Sequence, residues 1–176
     1  AEELKPHLEG AVLLALCSPL NPTGTMFTKD QLTEICELVL EENKKRDENE
    51  KPLYLMYDQI YAMLTFDEEH FNPVSLFPEM KKYTVFIDGT SKSFAATGVR
   101  VGWSFGPAEI IDKMKSLLGH IGAWAPKPEQ QAVSVFLGET ENVDFFVNDF
   151  KGKIAESLKI LHTGIQEMKS RGLQVD

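Results

Sequence analysis

The chain has 176 residues, of which 43% are hydrophobic and 26% charged, as expected of a globular domain with a core of its own. A formal net charge of −9 argues against a nucleic-acid-binding role, and no apolar run is long enough to span a membrane. The start lacks a signal-peptide pattern, the two cysteines are too few for a disulfide framework, and the histidines lack metal-ligand spacing. We therefore predict a cytoplasmic protein without a metal site.

The first part of the chain predicts a strand, a turn and a helix. Residues 11–17 (AVLLALC) form a continuous apolar run, which predicts a strand buried on both faces. Residues 21–24 (NPTG) are typical of a turn. Thr28 and Gln31 match a capping box, so a helix is expected to begin there. Its apolar face is predicted to consist of Leu32, Ile35, Leu38 and Val39.

Two further strands and two further helices are predicted in alternation. The strands are residues 53–57, which Asp58 closes, and residues 83–87. The helices are residues 107–118 and residues 126–137, each beginning with proline in its first turn. Alternating strands and helices predict an α/β fold of three layers with a mostly parallel sheet.

A long periodic pattern covers residues 142–171. Its apolar positions are Phe145, Phe146, Phe150, Ile154, Leu158, Leu161, Ile165 and Met168. A helix of that length exceeds one small core, so we interpret it as a connector between domains that ends at Gly172. The predicted organisation is a large domain over residues 1–140, an interdomain helix over residues 141–171, and the start of a small domain at residues 172–176.

Three polar residues follow the predicted strands directly: Asn21, Asp58 and Lys92. Ligands of parallel α/β sheets bind beyond the carboxyl ends of the strands, so the three residues are expected to share one site. A lysine there can form an imine with an aldehyde, and the nearby Arg100 can bind a phosphate. Pyridoxal 5'-phosphate carries both of these groups.

The motifs NPTG, YDQIY and DGTSKSFAATGVRVGWSFG occur in this order along the chain. Together they resemble the class I and II aminotransferases of pyridoxal phosphate fold type I, in particular the subgroup of bacterial aspartate aminotransferases. The resemblance extends over about residues 10–176 and implies that the chain is part of the large domain of such an enzyme, with its linking helix.

The resemblance implies three catalytic residues. Lys92 would hold pyridoxal phosphate as a Schiff base and shuttle protons. Asp58 would hold the proton on the pyridine nitrogen, and Tyr61 would bind the phenolic oxygen of the cofactor. Tyr57 is the weaker candidate for that last role, because its side chain is expected to point into the packing of the strand.

The resemblance also implies cofactor-binding roles for three other residues. Asn21 would donate its amide to the phenolic oxygen, while Ser91 and Arg100 would bind the phosphate. Many relatives have a phosphate-binding serine three residues before the lysine, where this chain has Gly89. Gly98 is expected, together with Gly102, to let the backbone turn tightly around Arg100.

The implied function is transfer of an amino group between an amino acid and a 2-oxo acid, by a homodimer in the full-length form, with neither nucleic acid nor membrane as a partner. Two alternatives stay open: another reaction on the same scaffold, such as a C–S lyase, or the aminotransferase-like sensor domain of a transcription regulator. The phosphate loop, the ring-stacking aromatic residue and the carboxylate-binding arginine of the family are not located in this sequence. The chain is therefore expected to be a fragment that is inactive alone.

Overall fold

The computed structural model describes residues 1–174 and contains one four-stranded sheet. Its strands are β1 (Leu13–Cys17), β2 (Tyr54–Asp58), β3 (Thr84–Gly89) and β4 (Gly102–Phe105). They lie in the order β1-β2-β3-β4; the first three are parallel, and β4 runs antiparallel to β3. The predicted mixed α/β fold with a mostly parallel sheet is confirmed.

The helices are α1 (Lys29–Lys45), α2 (Pro73–Leu76), α3 (Thr90–Ser93), α4 (Ala108–Ile121), α5 (Lys127–Gly138) and α6 (Thr140–Ser170). The chain forms two compact units, Ala1–Val133 and the part from Ser134 onward. The sheet lies entirely in the first unit. No helix in the part of the chain that the structure describes is both long enough and apolar enough to cross a membrane.

The start of α1 agrees with the predicted capping box. The Gln31 N–H donates to Thr28 Oγ1 at 3.2 Å, and the Thr28 N–H donates to Gln31 Oε1 at 3.0 Å. These two bonds satisfy backbone donors that a helix start otherwise leaves unpaired. Three buried residues of α1, Leu32, Cys36 and Val39, belong to the main core together with alternate residues of the sheet, Leu55, Tyr57 and Phe86. This packing fixes α1 on one face of the sheet.

The expectation that the first strand is buried on both faces is wrong. Leu14 and Leu16 pack against the core, but Leu13, on the opposite face, is 55% exposed. Successive side chains of a strand point to opposite faces, and no described residue covers the second face of β1 at this point. A continuous apolar run thus identified the strand but not its surroundings.

Strand β4 was not predicted, because residues 98–102 were interpreted as a glycine turn around Arg100. In the structure Gly102 is already part of β4 and pairs with Gly89. Gly98 lies in a short 3₁₀ turn, and the residue with left-handed backbone is Arg100 itself, with φ of 59°. The turn is therefore made by the arginine, and the glycine at 102 serves close strand pairing.

The second unit contains the long helix α6, which has 31 residues and so extends about 46 Å. It ends as predicted, with Gly172 in the left-handed conformation at φ of 83°. Val143 and Val147 are buried, whereas Phe145 is 76% exposed. The proposed start of a small domain at residues 172–176 lies partly outside the described residues, and the domain assignment stays a prediction.

Candidate active site

The structure brings the turns that follow β1, β2 and β3 to one edge of the sheet. In the register of the strands, Asp58 lies between Cys17 of β1 and Ile87 of β3. The Ser18 N–H donates to the Asp58 carbonyl at 3.0 Å, and the Gln59 N–H donates to the Ile87 carbonyl at 3.0 Å. Because neighbouring strands are about 4.8 Å apart, the segments that carry Asn21, Asp58 and Lys92 begin side by side.

Asp58 is half-buried and its carboxylate is held by its own turn. The Ile60 N–H donates to Asp58 Oδ1 at 3.0 Å, while Oδ2 has no hydrogen-bond partner among the described residues. Cys17 lies beside Asp58 on the adjacent strand, and burial together with the Asp58 charge raises the pKa of its thiol. The site therefore contains an oriented carboxylate with one oxygen available.

Lys92 is half-buried in α3, the short helix that follows β3 at once. Its Nζ lies 5.8 Å from the centroid of the Tyr61 ring, and no described carboxylate forms an ion pair with it. Ser93, the next residue, donates from Oγ to the Ile60 carbonyl at 3.4 Å. This bond ties α3 to the turn of Asp58, so the amine, the phenol and the carboxylate belong to adjoining segments.

Asn21 lies in the turn after β1 and is exposed. The turn is closed by the Gly24 N–H, which donates to the Leu20 carbonyl at 2.7 Å, with Gly24 at φ of 69°. Asn21 and Tyr61 line a common cavity of about 800 Å³. Neither Asp58 nor Lys92 lines that cavity, so it extends the site on the side of the first turn.

Arg100 and Ser91 are not brought into contact. Arg100 is exposed, and its Nη1 donates to the Thr97 carbonyl at 2.8 Å. Ser91 is half-buried in α3, which the short 3₁₀ turn Thr97–Val99 separates from Arg100 along the chain. Among the described residues Arg100 has no carboxylate partner, so the guanidinium keeps donors that an anion can use.

Gly89 is explained by the approach of two backbones. A Cβ atom at this position would lie 2.9 Å from the Gly102 Cα and 3.0 Å from the Val101 carbonyl oxygen. The adjacent Thr90 N–H also donates to the Val101 carbonyl at 3.1 Å. A serine side chain does not fit here unless β3 and β4 move apart.

Asp88, a polar residue that the sequence analysis did not identify, lies on the face of β3 opposite to that of its neighbour Ile87. The Gly89 N–H and the Gln59 Nε2 donate to the two oxygens of Asp88, at 2.7 and 3.2 Å. Burial raises the pKa of the Asp88 carboxyl. His70, interpreted from sequence as an isolated histidine, contacts the Ser18 carbonyl at 3.0 Å. Alternation along β3 could have assigned Asp88 to its face, but no sequence signal links His70 to Ser18.

The predicted Tyr57 orientation is confirmed: its ring is fully buried, and its hydroxyl donates to the Phe71 carbonyl at 3.0 Å.

The side chains at this edge of the sheet fit pyridoxal phosphate, since they offer an amine, a carboxylate with one oxygen available, a phenol and an arginine without a carboxylate partner. Among the described residues, no three His, Cys, Asp or Glu side chains are grouped to hold a metal ion.

Comparison of the sequence with known families identifies the family to which this fold and site belong. Residues 1–175 match the family described as aminotransferase class I and II, and the chain belongs to that family.

Individual relatives are aminotransferases of several specificities. The chain is 30% identical over 157 residues to the aspartate aminotransferase of Bacillus sp. (strain YM-2), covering 88% of this chain and 38% of the relative. It is 30% identical over 134 residues to the kynurenine–oxoglutarate transaminase of Dictyostelium discoideum, covering 76% of this chain and 29% of the relative. The solved structure of Thermus thermophilus aspartate aminotransferase with maleate superposes with a TM-score of 0.78 at 28% identity, covering 92% of this chain and 38% of that one. The chain thus spans well under half of these relatives.

Proposed function

We propose that this protein is a pyridoxal phosphate-dependent aminotransferase that transfers an amino group between an amino acid and a 2-oxo acid. The observation that carries the proposal is the convergence of Lys92 and Asp58 at the carboxyl ends of adjacent parallel strands, in a chain of the aminotransferase family. The relatives named as aspartate aminotransferases support an acidic amino acid as one substrate.

When bound, pyridoxal phosphate supplies an electron sink for the bonds at the α-carbon of an amino acid. Lys92 would bind the cofactor through its Nζ and then move the proton of the substrate α-carbon. An amine that no described carboxylate pairs with is suited to this task. Asp58 would hold a proton on the pyridine nitrogen through Oδ2, since Oδ1 is already occupied by the Ile60 N–H.

The remaining residues would orient the cofactor. Tyr61, whose ring lies below the Lys92 amine, and Asn21, on the same cavity, would donate to the phenolic oxygen. Arg100 would bind the phosphate by charge-assisted hydrogen bonds, with Ser91 donating from its hydroxyl. Arg100 would have to release the Thr97 carbonyl or use its other nitrogens for this purpose.

The proposal includes a cytoplasmic homodimer in which residues 1–140 belong to the cofactor-binding domain. The free thiols of Cys17 and Cys36 support a reducing compartment, because disulfides are rare there. The dimer and the domain boundaries rest on the resemblance to the family.

Borohydride reduction in the presence of stoichiometric pyridoxal phosphate, followed by peptide mapping, tests the proposal. The expected result is that Lys92 carries most of the label. Lys92→Ala should remove the visible absorbance of the bound cofactor, whereas Lys81→Ala, outside the edge, should leave it unchanged. Equal labelling of Lys81 and Lys92, or retained absorbance in Lys92→Ala, would show that the lysine is assigned wrongly.

A further inference from the structure

His70 connects the segment before α2 to the end of β1. Its Nε2 lies 3.0 Å from the Ser18 carbonyl oxygen, and its half-buried ring is 6.0 Å from that of Tyr57. A carbonyl oxygen only accepts, so Nε2 must carry the proton in this contact. Burial lowers the pKa of His70, which favours the neutral ring.

Ser18 is the point where three segments meet. Its residue is 1% exposed, and its N–H donates to the Asp58 carbonyl at 3.0 Å. Its Oγ accepts from the Phe27 N–H at 3.2 Å, at the far end of the turn that carries Asn21. The His70 contact occupies the carbonyl, so every polar group of Ser18 is engaged. Displacement of Ser18 would therefore move the Asn21 turn relative to Asp58.

The segment of His70 is itself fixed from the core. The Tyr57 hydroxyl donates to the Phe71 carbonyl at 3.0 Å, so β2 anchors the residue next to His70. Tyr57 also precedes Asp58 on the same strand. The segment of His70 is thus bonded to β2 through Phe71, and His70 itself donates to Ser18 at the end of β1. Among the described residues, His70 makes no hydrogen bond to Asn21, Asp58 or Lys92.

We propose that His70 is a positioning residue of the candidate active site, which holds the Ser18 carbonyl and so fixes the turn of Asn21 relative to Asp58. This inference rests on the proposed function, because Asn21 and Asp58 are assigned there to the cofactor. A packing role alone would need only a ring of the right size. The positioning role needs the Nε2 donor, and this difference can be tested.

The test compares His70→Phe, which keeps a ring and removes the donor, with His70→Gln, which restores a donor. Asn43→Leu is the matched control, since Asn43 exchanges two hydrogen bonds with the Leu53 backbone at the opposite end of β2, at 2.8 and 3.0 Å. Amide hydrogen exchange is measured on the protein without cofactor. His70→Phe should accelerate exchange over residues 20–27 by about tenfold, the effect of one lost buried hydrogen bond, and leave residues 43–53 unchanged. His70→Gln should restore the slow exchange, and Asn43→Leu should show the reverse pattern.

Unchanged exchange over residues 20–27 in His70→Phe would overturn the inference, and so would equal acceleration in both segments, which indicates general loosening. In the unaltered protein, ¹⁵N shifts should show a neutral ring protonated at Nε2; protonation at Nδ1 alone would also overturn it, even if His70→Phe does not fold. The affinity for pyridoxal phosphate should fall about tenfold in His70→Phe and not in Asn43→Leu. If the unaltered protein does not bind the cofactor at Lys92, the proposed function fails, while the exchange pattern still decides whether His70 fixes the turn.

Discussion

Replacing Gly89 by serine tests whether the close approach of β3 and β4 requires glycine at this position. The new Cβ would meet the Gly102 Cα at 2.9 Å and the Val101 carbonyl oxygen at 3.0 Å. Both are backbone atoms, so β3 and β4 must move apart. Forced overpacking costs about 1–3 kcal/mol. Weakening the neighbouring 3.1 Å bond from the Thr90 N–H to the Val101 carbonyl adds about 1 kcal/mol. The expected loss of unfolding free energy is therefore about 2–4 kcal/mol.

Gly98→Ser is the matched control, because a Cβ at Gly98 meets nothing within 4 Å. Both variants lose the flexibility of glycine in the unfolded chain, worth up to about 1 kcal/mol, so their difference isolates the clash. Urea unfolding followed by tryptophan fluorescence measures it, with Trp103 reporting from β4 itself. Equal unfolding free energies for the two variants would refute the steric explanation and leave Gly89 without a structural reason.

Three other predictions concern individual side chains. Arg46→Met should lower the free energy of unfolding, measured in urea, by about 3–5 kcal/mol. The Arg46 side chain is 9% exposed, donates to the carbonyls of Leu8, Ala11 and Lys51, and forms an ion pair with Glu42. Adding Glu42→Gln should recover part of the loss, because it removes the unpaired carboxylate, and no recovery would contradict the role of the ion pair. Asp88→Asn should raise the melting temperature at pH 7. Burial raises the folded-state pKa of Asp88, so its favourable contribution is complete below the ordinary value of 3.8 and is lost as pH rises through the folded pKa; the advantage of asparagine should vanish in acid, and a pH-independent difference would refute this cause. Arg100→Ala should weaken pyridoxal phosphate binding by about 1.5–3 kcal/mol in an absorbance titration with little change in stability, whereas unchanged affinity would remove Arg100 from the phosphate site.

The sequence alone determined the features that depend on neighbouring residues. Thr28 and Gln31 lie within one helical turn, so their capping box specifies the start of α1 wherever the helix later packs. The periodic pattern of α6 and its stop at Gly172 are local in the same way. The apolar runs located β1, β2 and β3, and their parallel order followed from the alternation with helices. The motifs also identified the family, which the comparison over residues 1–175 confirms.

Tertiary structure decided the features that join residues far apart in the chain. The pairing of Gly89 with Gly102 turns a segment interpreted as a glycine turn into strand β4. The exposure of one face of β1 depends on which elements cover the sheet, and the apolar run of that strand does not indicate which elements those are. His70 contacts Ser18 because the segment before α2 is bonded to β2, the strand that pairs with β1. Hydrogen bonds and backbone approaches of this kind arise from strand order and register, which single-residue preferences do not encode.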